Sequence, residues 1–475
     1  MNKQDGLSAW QLTMLALGTV VGGSFFLGSA IAINAAGPGI LLSFILGGLL
    51  VYLILTSLSE MTVADPQPGS FRTYSEQQYG PWLGFMVGWV YWTGLVLAMS
   101  SEATAVSLFL QAWIPQFSLP LIAILVVVVV TLLNLLGSRK LSNLESGLAG
   151  IKVAALIGFV LLGIALIWGI FPDRSAVGAG VLPSEAFFPA GIGGIAGSML
   201  IVLFSYAGFE IIGLASSEAK DPHTTVRKAI RYTIFTLVGL YVLVIAVMLP
   251  LISTSSLTGD VSPLVAALTA HGLGIAANTV NIVLITAILS TMLAATFGLG
   301  RMLRSLADTG NAPAFLIDKG DIPLKGILFS GIAMLAGVSM AYLLPSQIYI
   351  FLVSSGGFSL LFAYLVILIT HYRFRQHKGC PPSGHCQLPG FPYTSWLAIV
   401  SIIIIIMTMP LIPGQGSGLL AGLLLLLFYS LSYLFFKAWP LHTRSSFIAS
   451  AKLLRHIKKD AAQNIDHHKK KHQRK

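Results

Sequence analysis

The chain holds 475 residues, of which 55% are hydrophobic and 9% charged, against roughly a quarter charged in an ordinary soluble domain. A water-soluble globule is excluded, because the apolar runs repeatedly exceed the roughly 20 residues needed to cross a bilayer. The formal net charge of +11 does not signal nucleic-acid binding, since 11 of the 28 Lys and Arg lie from Lys437 onward and the rest of the chain is close to neutral.

Met1–Leu7 has no small-residue cleavage site, and the apolar run from about Ala9 is too long for a signal-peptide core, so no leader is expected to be removed. Apolar segments bounded by Pro, Gly and charge fall at 9–33, 38–62, 82–110, 119–138, 148–171, 191–216, 228–252, 275–300, 325–344, 347–371, 394–411 and 417–436. They predict an all-α integral membrane protein of about 12 transmembrane helices. Lipid cannot satisfy an open sheet, and the period-2 alternation of a membrane barrel is absent. Twelve crossings put both termini on one side, and 26 of the 28 Lys and Arg fall there too, with Arg174 opposite and Lys152 inside a span. That side is expected to be the cytoplasm. No Gly-Lys dipeptide occurs, which excludes the phosphate-cradling loop of a primary pump. A potassium filter and an Arg ladder are also missing. A secondary transporter remains, ahead of a less typical channel or a membrane enzyme. No paired nucleophile and base, and no cluster of metal ligands, lies within the spans, so no enzyme is expected.

Taken in chain order, the first span reads Gly18-Thr-Val-Val-Gly-Gly-Ser-Phe-Phe-Leu-Gly28. Each internal Gly costs about 1 kcal/mol of helix propensity relative to Ala. Gly22, Gly23 and Ser24 are the expected point of unwinding, with close packing of helices as the plainer alternative. Glu60, near the end of the second span, and Glu145 are expected at the interface. In the third span Glu102 has Ser100, Ser101 and Thr104 around it, and either lines a pocket or is a hydrogen-bonded structural carboxylate. Lys152, in the fifth, has no acidic residue within a turn. It suits either a coupling or gating role or a purely structural ammonium.

The sixth span opens with Gly191, Gly193, Gly194 and Gly197 and continues Phe204-Ser-Tyr-Ala-Gly-Phe-Glu210, placing a carboxylate near mid-membrane. Glycine-interrupted first and sixth spans hold corresponding positions if spans 1–5 and 6–10 are two repeats of opposite orientation, and that pattern points to a transporter's substrate site. A broken helix frees N–H groups at the positive end of one half and carbonyls at the negative end of the other. Together these describe a receptor for an α-amino acid.

After the sixth span, Glu218-Ala-Lys-Asp-Pro-His-Thr-Thr-Val-Arg-Lys is either a hinge or inner gate or an ordinary helix start at Pro222. Thr286, Ser290 and Thr291 in the eighth span, and Ser354, Ser355, Gly356 and Gly357 in the tenth, supply small polar groups or simply permit packing. Cys380 and Cys386, beside His377 and His385, match no standard zinc spacing and read as plain loop residues. The tail after Lys437 is amphipathic and then polybasic, fit for anionic lipid or for solvent.

The strings Gly18-Thr-Val-Val-Gly-Gly-Ser-Phe-Phe-Leu-Gly-Ser, Phe204-Ser-Tyr-Ala-Gly-Phe-Glu-Ile-Ile-Gly with Glu218-Ala-Lys-Asp-Pro, and Arg301-Met-Leu-Arg-Ser-Leu-Ala-Asp-Thr-Gly-Asn-Ala-Pro resemble amino acid permeases of the amino acid-polyamine-organocation superfamily. The bacterial amino acid transporter branch is the nearest likeness. The resemblance runs from about Ala9 to the twelfth span. It implies a 5+5 inverted repeat of the leucine-transporter type plus two C-terminal helices. Residues 1–437 would then form the permease domain, with repeats at about 9–171 and 191–371 and further helices at 394–436, ahead of a basic tail at 438–475. It also implies proton-coupled uptake of an amino acid by alternating access, with the proton as coupling ion and no cofactor or metal. Exchange of one amino acid or amine for another, and a non-transporting sensor, are the alternatives. Gly22, Gly23 and Ser24 would surround the substrate carboxylate, while Phe204, Ser205 and Tyr206 would bring carbonyls to its ammonium and an aromatic gate over it. Thr19, Val21, Ser100, Glu102, Gly208, Thr286 and Ser290 complete the candidate lining. Lys152 matches the family's fifth-span lysine, which occupies the place of a sodium ion, and Glu210 joins it as a coupling candidate. The usual Gly-x-Gly of the first span reads Gly22-Gly23-Ser24 here. A neutral or hydrophobic substrate is preferred; membrane lipid is the expected surrounding partner, nucleic acid is not, and the oligomeric state is open.

Overall fold

The computed structural model describes residues 7–438 except 66, 68, 137, 173–174, 215–218, 319, 321, 343–347 and 381–386. Arg174, Glu218, Lys319, His385, Cys386, the side chain of Glu145 and the basic tail therefore lie outside the described residues. The rest is nearly all helix. The first span comes in three pieces, α1 (Ala9–Val20), α2 (Gly23–Phe26) and α3 (Gly28–Ala36). It is followed by α4 (Ile40–Ala64), a short α5 (Phe71–Tyr79), α6 (Pro81–Gln111), α7 (Leu119–Asn134) and α8 (Ser138–Trp168). The sixth span divides into α9 (Gly191–Tyr206) and α10 (Ile211–Leu214). Then come α11 (Pro222–Met248), α12 (Pro263–Ala270), α13 (Gly274–Asp308), α14 (Leu324–Ser339), α15 (Ile348–Lys378), α16 (Tyr393–Thr408) and α17 (Gln415–Ala438).

Local chemistry sets several of these ends. Ser8 and Gln11 form a reciprocal capping box that starts α1. Gly80 at φ +91° turns the chain into α6, whose first residue is Pro81. Among the described residues nine helical stretches are long and apolar enough to cross a membrane, and three shorter apolar helices, Ala9–Val20, Leu119–Asn134 and Leu324–Ser339, accompany them. Among the described residues, each of the segments expected from the sequence lies largely on helix.

The outer helices show why the charge content is so low. Leu420, Leu423, Leu424, Leu427 and Leu431 of α17, and Leu121, Leu125, Val129 and Leu132 of α7, are exposed along continuous faces. In water such faces would associate; in a bilayer they meet lipid tails. This is a multi-pass membrane protein. Inside, α6 packs against α13 and α15, while α9 lies along α3 and α4, so the two broken spans run next to each other at the centre.

Two expectations are corrected here. Glu60, near the end of its span, is fully buried in the protein and does not face the surroundings. Its Oε2 accepts from His371 Nε2 and Arg375 Nη1 at 2.7 Å, and its Oε1 accepts from the backbone amides of Gln387 and Leu388. A buried carboxylate persists when its lone pairs are filled this way, and the cluster fastens α4 to α15 and to the link beyond it. Cys380 is not a plain loop residue, for it is disulfide-bonded.

Candidate functional site

The first interruption lies at Val21–Gly22, one residue earlier than the Gly-Gly-Ser reading placed it, because Gly23 and Ser24 already open α2. Both cut ends are met by charged side chains of the protein itself. Lys152 Nζ, from α8, donates to Gly18 O at 2.6 Å and to Thr291 Oγ1 at 2.9 Å, standing where the last turn of α1 presents its carbonyls. Thr291 Oγ1 in turn donates to Val21 O at 3.1 Å. On the other side, Glu102 Oε2 accepts from Gly23 N at 2.7 Å and Oε1 from Ser24 N at 3.1 Å. Cation at the carbonyl end and anion at the amide end is the favourable pairing with each local dipole. The residue at position 23 must be small, since an added Cβ would lie 2.6 Å from Glu102 Oε2.

The second interruption runs through Ala207–Glu210, between α9 and α10. Gly208 takes φ +106°, and an added Cβ there would meet Thr19 O at 2.8 Å. Backbone shape and close approach both demand glycine. Glu210 is buried and fully engaged: Oε1 accepts from Tyr91 OH at 2.9 Å, and Oε2 from Gly208 N at 3.1 Å and Tyr364 OH at 3.4 Å. Two direct bonds join the interruptions, Thr19 Oγ1 to Gly208 O at 3.1 Å and Ser205 Oγ to Ser24 O at 3.0 Å.

A cavity of about 930 Å³ reaches both interruptions. Thr19, Val20, Ser24, Met99, Glu102, Phe204, Gly208, Glu210 and Thr291 line its inner part. It extends to Gln67, Arg72, Glu76, Arg301, Arg304 and Asp308, on and before α5 and at the end of α13. Away from these residues, hydrogen bonds tie the connecting segments together. Glu185 accepts from Ser253 Oγ, Thr254 N and Thr254 Oγ1 at 2.6 to 2.8 Å, Asn34 Nδ2 donates to Leu257 O at 3.2 Å, and Gly39 N donates to Phe187 O at 2.9 Å.

The expected lining is sorted by this geometry. Thr19, Ser24, Glu102, Phe204, Gly208 and Glu210 come together on the cavity, with Gly22, Gly23 and Val21 immediately behind through Glu102 and Thr291. Lys152 stands one layer back, reaching the break through Gly18 and Thr291. Ser100 does not line the cavity: its hydroxyl donates to Val96 O and to Met334 O of α14. Ser205 is spent on Ser24 O, and Tyr206 OH donates to Phe44 O at 3.0 Å, so of this trio Phe204 faces the cavity, in company with Tyr91 and Phe297. Thr286 bonds back to Val283 O, and Ser290 is buried away from the lining. Sequence reasoning missed Tyr91 and Tyr364 on Glu210, and the polar mouth at Arg72 and Glu76. Tyrosines carry no marker of their partners. Arg72 read only as one more positive loop residue.

The sequence profile of the amino acid permease family matches residues 11–448. The chain belongs to the amino acid permease family. It is similar to the gamma-aminobutyric acid permease of Bacillus subtilis (strain 168), 32% identical over 91% of this chain and 93% of that one. It is also similar to the aromatic amino acid transport protein AroP of Escherichia coli (strain K12), 31% identical over 90% of this chain and 95% of the relative. A probable threonine/serine transporter of B. subtilis is 30% identical over 91% and 94%. Among solved structures, a mutant of the Eremococcus coleocola manganese transporter superposes with a TM-score of 0.55 at 14% identity, covering 89% of this permease and 93% of that chain. That likeness speaks for the fold, an architecture of the leucine-transporter type, and not for the cargo.

Replacing Gly208 by Ala in the permease places a side chain at φ +106° against Thr19 O and carries a backbone cost of about 1–3 kcal/mol. The expected outcome is a loss of uptake of about tenfold or more at unchanged membrane abundance, measured in cells with a labelled amino acid against an immunoblot.

Proposed function

We propose that this permease imports an amino acid across the cytoplasmic membrane by proton symport, through twelve crossings that expose one central site alternately to the two sides. The observation that carries this reading is the cavity. It reaches two interrupted helices and extends to the face that bears Arg72, Arg301 and Arg304, while Glu185 and Asn34 bond the connecting segments away from that face. The bias of Lys and Arg assigns that open face to the cytoplasm, so the structure corresponds to an inward-open state.

In this reading the substrate sits between Ser24, Phe204 and Gly208, where the walls are mostly apolar: Val20, Leu95, Ala98, Met99, Ile211 and Leu360. Such walls suit a neutral side chain, in keeping with the gamma-aminobutyrate, aromatic and threonine/serine cargoes in the relatives' names. Glu102 already occupies the amides of Gly23 and Ser24. An incoming substrate carboxylate competes for those donors, and a displaced Glu102 is most easily accommodated in lipid surroundings as the neutral acid. Binding of cargo and of a proton are thereby linked at one pair of N–H groups. Lys152 keeps a positive charge, or releases it, at the carbonyl end of the same break.

The experiment is uptake into proteoliposomes with and without an imposed pH gradient, after a competition panel of the twenty amino acids and γ-aminobutyrate identifies the cargo. Accumulation should require the gradient. Accumulation that is unchanged when the gradient is collapsed assigns the protein to exchange instead, and binding without any flux makes it a sensor.

A further inference from the structure

On the flank of the molecule, away from the two interruptions, α4, α11 and the link ahead of α16 enclose a notch of about 180 Å³. Tyr52, Thr56, Arg227, Ile230, Arg231 and Gln387 line it. Its spare polar groups can all donate. Arg227 Nε is enclosed, but the terminal nitrogens of the same guanidinium are neither enclosed nor bonded, and Arg231, one turn further along α11, is exposed. Gln387 Oε1 accepts from Ser59 Oγ at 2.8 Å, which leaves its NH₂ group and the Tyr52 hydroxyl without a protein partner. Among the described residues no carboxylate lines the notch. Glu60, which holds the Gln387 amide, is already matched by His371 and Arg375. The two arginines of α11 therefore repel each other across one turn until an anion joins them.

The surroundings select the anion. Ile45, Leu49, Tyr52 and Thr56 recur at helical spacing on one face of α4, whose upper part, Leu42, Ile45, Leu46 and Leu49, is exposed to lipid tails. On α11, Arg231 is followed one turn later by the exposed Phe235. Both apolar strips run straight into the notch. The span expected on α11 begins at residue 228, so Arg227 and Arg231 straddle the edge of the hydrocarbon layer. A soluble anion would meet only the donors, whereas a phospholipid meets donors for its phosphodiester and apolar walls for its chains.

We propose that this notch binds the headgroup of an anionic phospholipid, phosphatidylglycerol. The phosphodiester lies across Arg227 and Arg231, the glycerol hydroxyls meet Gln387 and Tyr52, and the acyl chains follow Leu49 and Phe235. Phosphatidylethanolamine is disfavoured, because its ammonium would face two arginines and no carboxylate. So seated, the lipid joins α4 to α11 and to the link that closes on Glu60.

The test is thermal unfolding of the purified full chain in dodecyl maltoside, with phosphatidylglycerol, phosphatidylethanolamine or phosphatidylcholine of matched chains added. Only phosphatidylglycerol should raise the midpoint of the wild type. In Arg227→Gln/Arg231→Gln the lipid fraction giving half the effect should rise about tenfold or more, the loss of at least one charge-assisted hydrogen bond. The basic tail attracts anionic lipid as well, so Lys469→Gln/Lys470→Gln removes the same charge outside the notch and should keep the wild-type response. If the arginine pair is needed for folding, Gln387→Glu carries the test: it keeps an acceptor for Ser59 but sets a carboxylate against the phosphate, and should weaken the response to a similar degree. A wild type indifferent to phosphatidylglycerol, or equally stabilised by phosphatidylcholine, overturns the proposal. So do notch variants that respond as the wild type does, or a tail variant that loses as much as they do. Equal protection by glycerol 1-phosphate overturns it too, since the notch then serves a soluble anion. The readout is independent of flux, so this inference and the symport reading stand or fall separately.

Discussion

Replacing Glu102 by Gln is expected to reduce gradient-driven accumulation about a hundredfold and to flatten its dependence on external pH. The carboxylate accepts from two backbone amides, at 2.7 and 3.1 Å, and each charge-assisted bond contributes about 1.5–3 kcal/mol. Gln keeps the shape but brings an NH₂ group against one of those N–H donors, and it cannot carry a proton in exchange for cargo. The measurement is initial uptake across a series of external pH values at fixed membrane potential, alongside cargo binding in detergent. A variant that loses uptake yet keeps the wild-type pH profile in its residual activity assigns Glu102 a purely structural part. One that accumulates cargo as the wild type does removes the proposed competition at Gly23 and Ser24.

The second large effect is expected at Lys152. Gln at this position is one bond shorter but is polar, uncharged and able to donate toward Gly18 O or Thr291 Oγ1, which Lys152 now bonds, so it disturbs the break less than an apolar residue would. The positive charge is removed, and α1 loses the cation facing its carbonyl end. Accumulation driven by a pH gradient should fall about thirtyfold or more, while counterflow at zero gradient stays within about threefold; the larger figure corresponds to about 2 kcal/mol. Equal loss of both would make Lys152 a structural ammonium. Comparing the two assays in the same vesicles separates chemistry from folding, because a misfolded carrier fails in each.

Much of the frame was legible in the residues alone. Apolar length is a direct consequence of bilayer thickness, so among the described residues the segments expected to cross lie largely on helix. Glycine pairs and intramembrane charges cost enough that they mark purpose, and Gly22, Gly23, Glu102, Lys152 and Glu210 all gather around the two interruptions. What could not be read were partners distant along the chain. Glu60 looks interfacial by its place near a span end, and only the fold brings His371, Arg375 and Leu388 onto it. Tyr91 and Tyr364 reach Glu210 from α6 and α15 with nothing in their own segments to announce it. Ser100 and Glu102 lie two residues apart on one helix, about 200° round its axis. One therefore meets α14 and the other the cavity, and proximity in sequence misplaced the first. The half-helix donors were anticipated, but their present occupant is a side chain of the permease itself.

The bonds from Thr19 to Gly208 and from Ser205 to Ser24 tie the two interruptions to each other, while Glu102, Lys152, Thr291, Tyr91 and Tyr364 anchor them to the helices around. In the proposed transport cycle, tilting one would drag the other, and the anchoring side chains would have to follow or let go. Phe25 is stacked face to face on Tyr241 of α11 with ring centres 3.8 Å apart; on that proposal the pair would have to slide or part for the outward movement, and the contact would act as its brake.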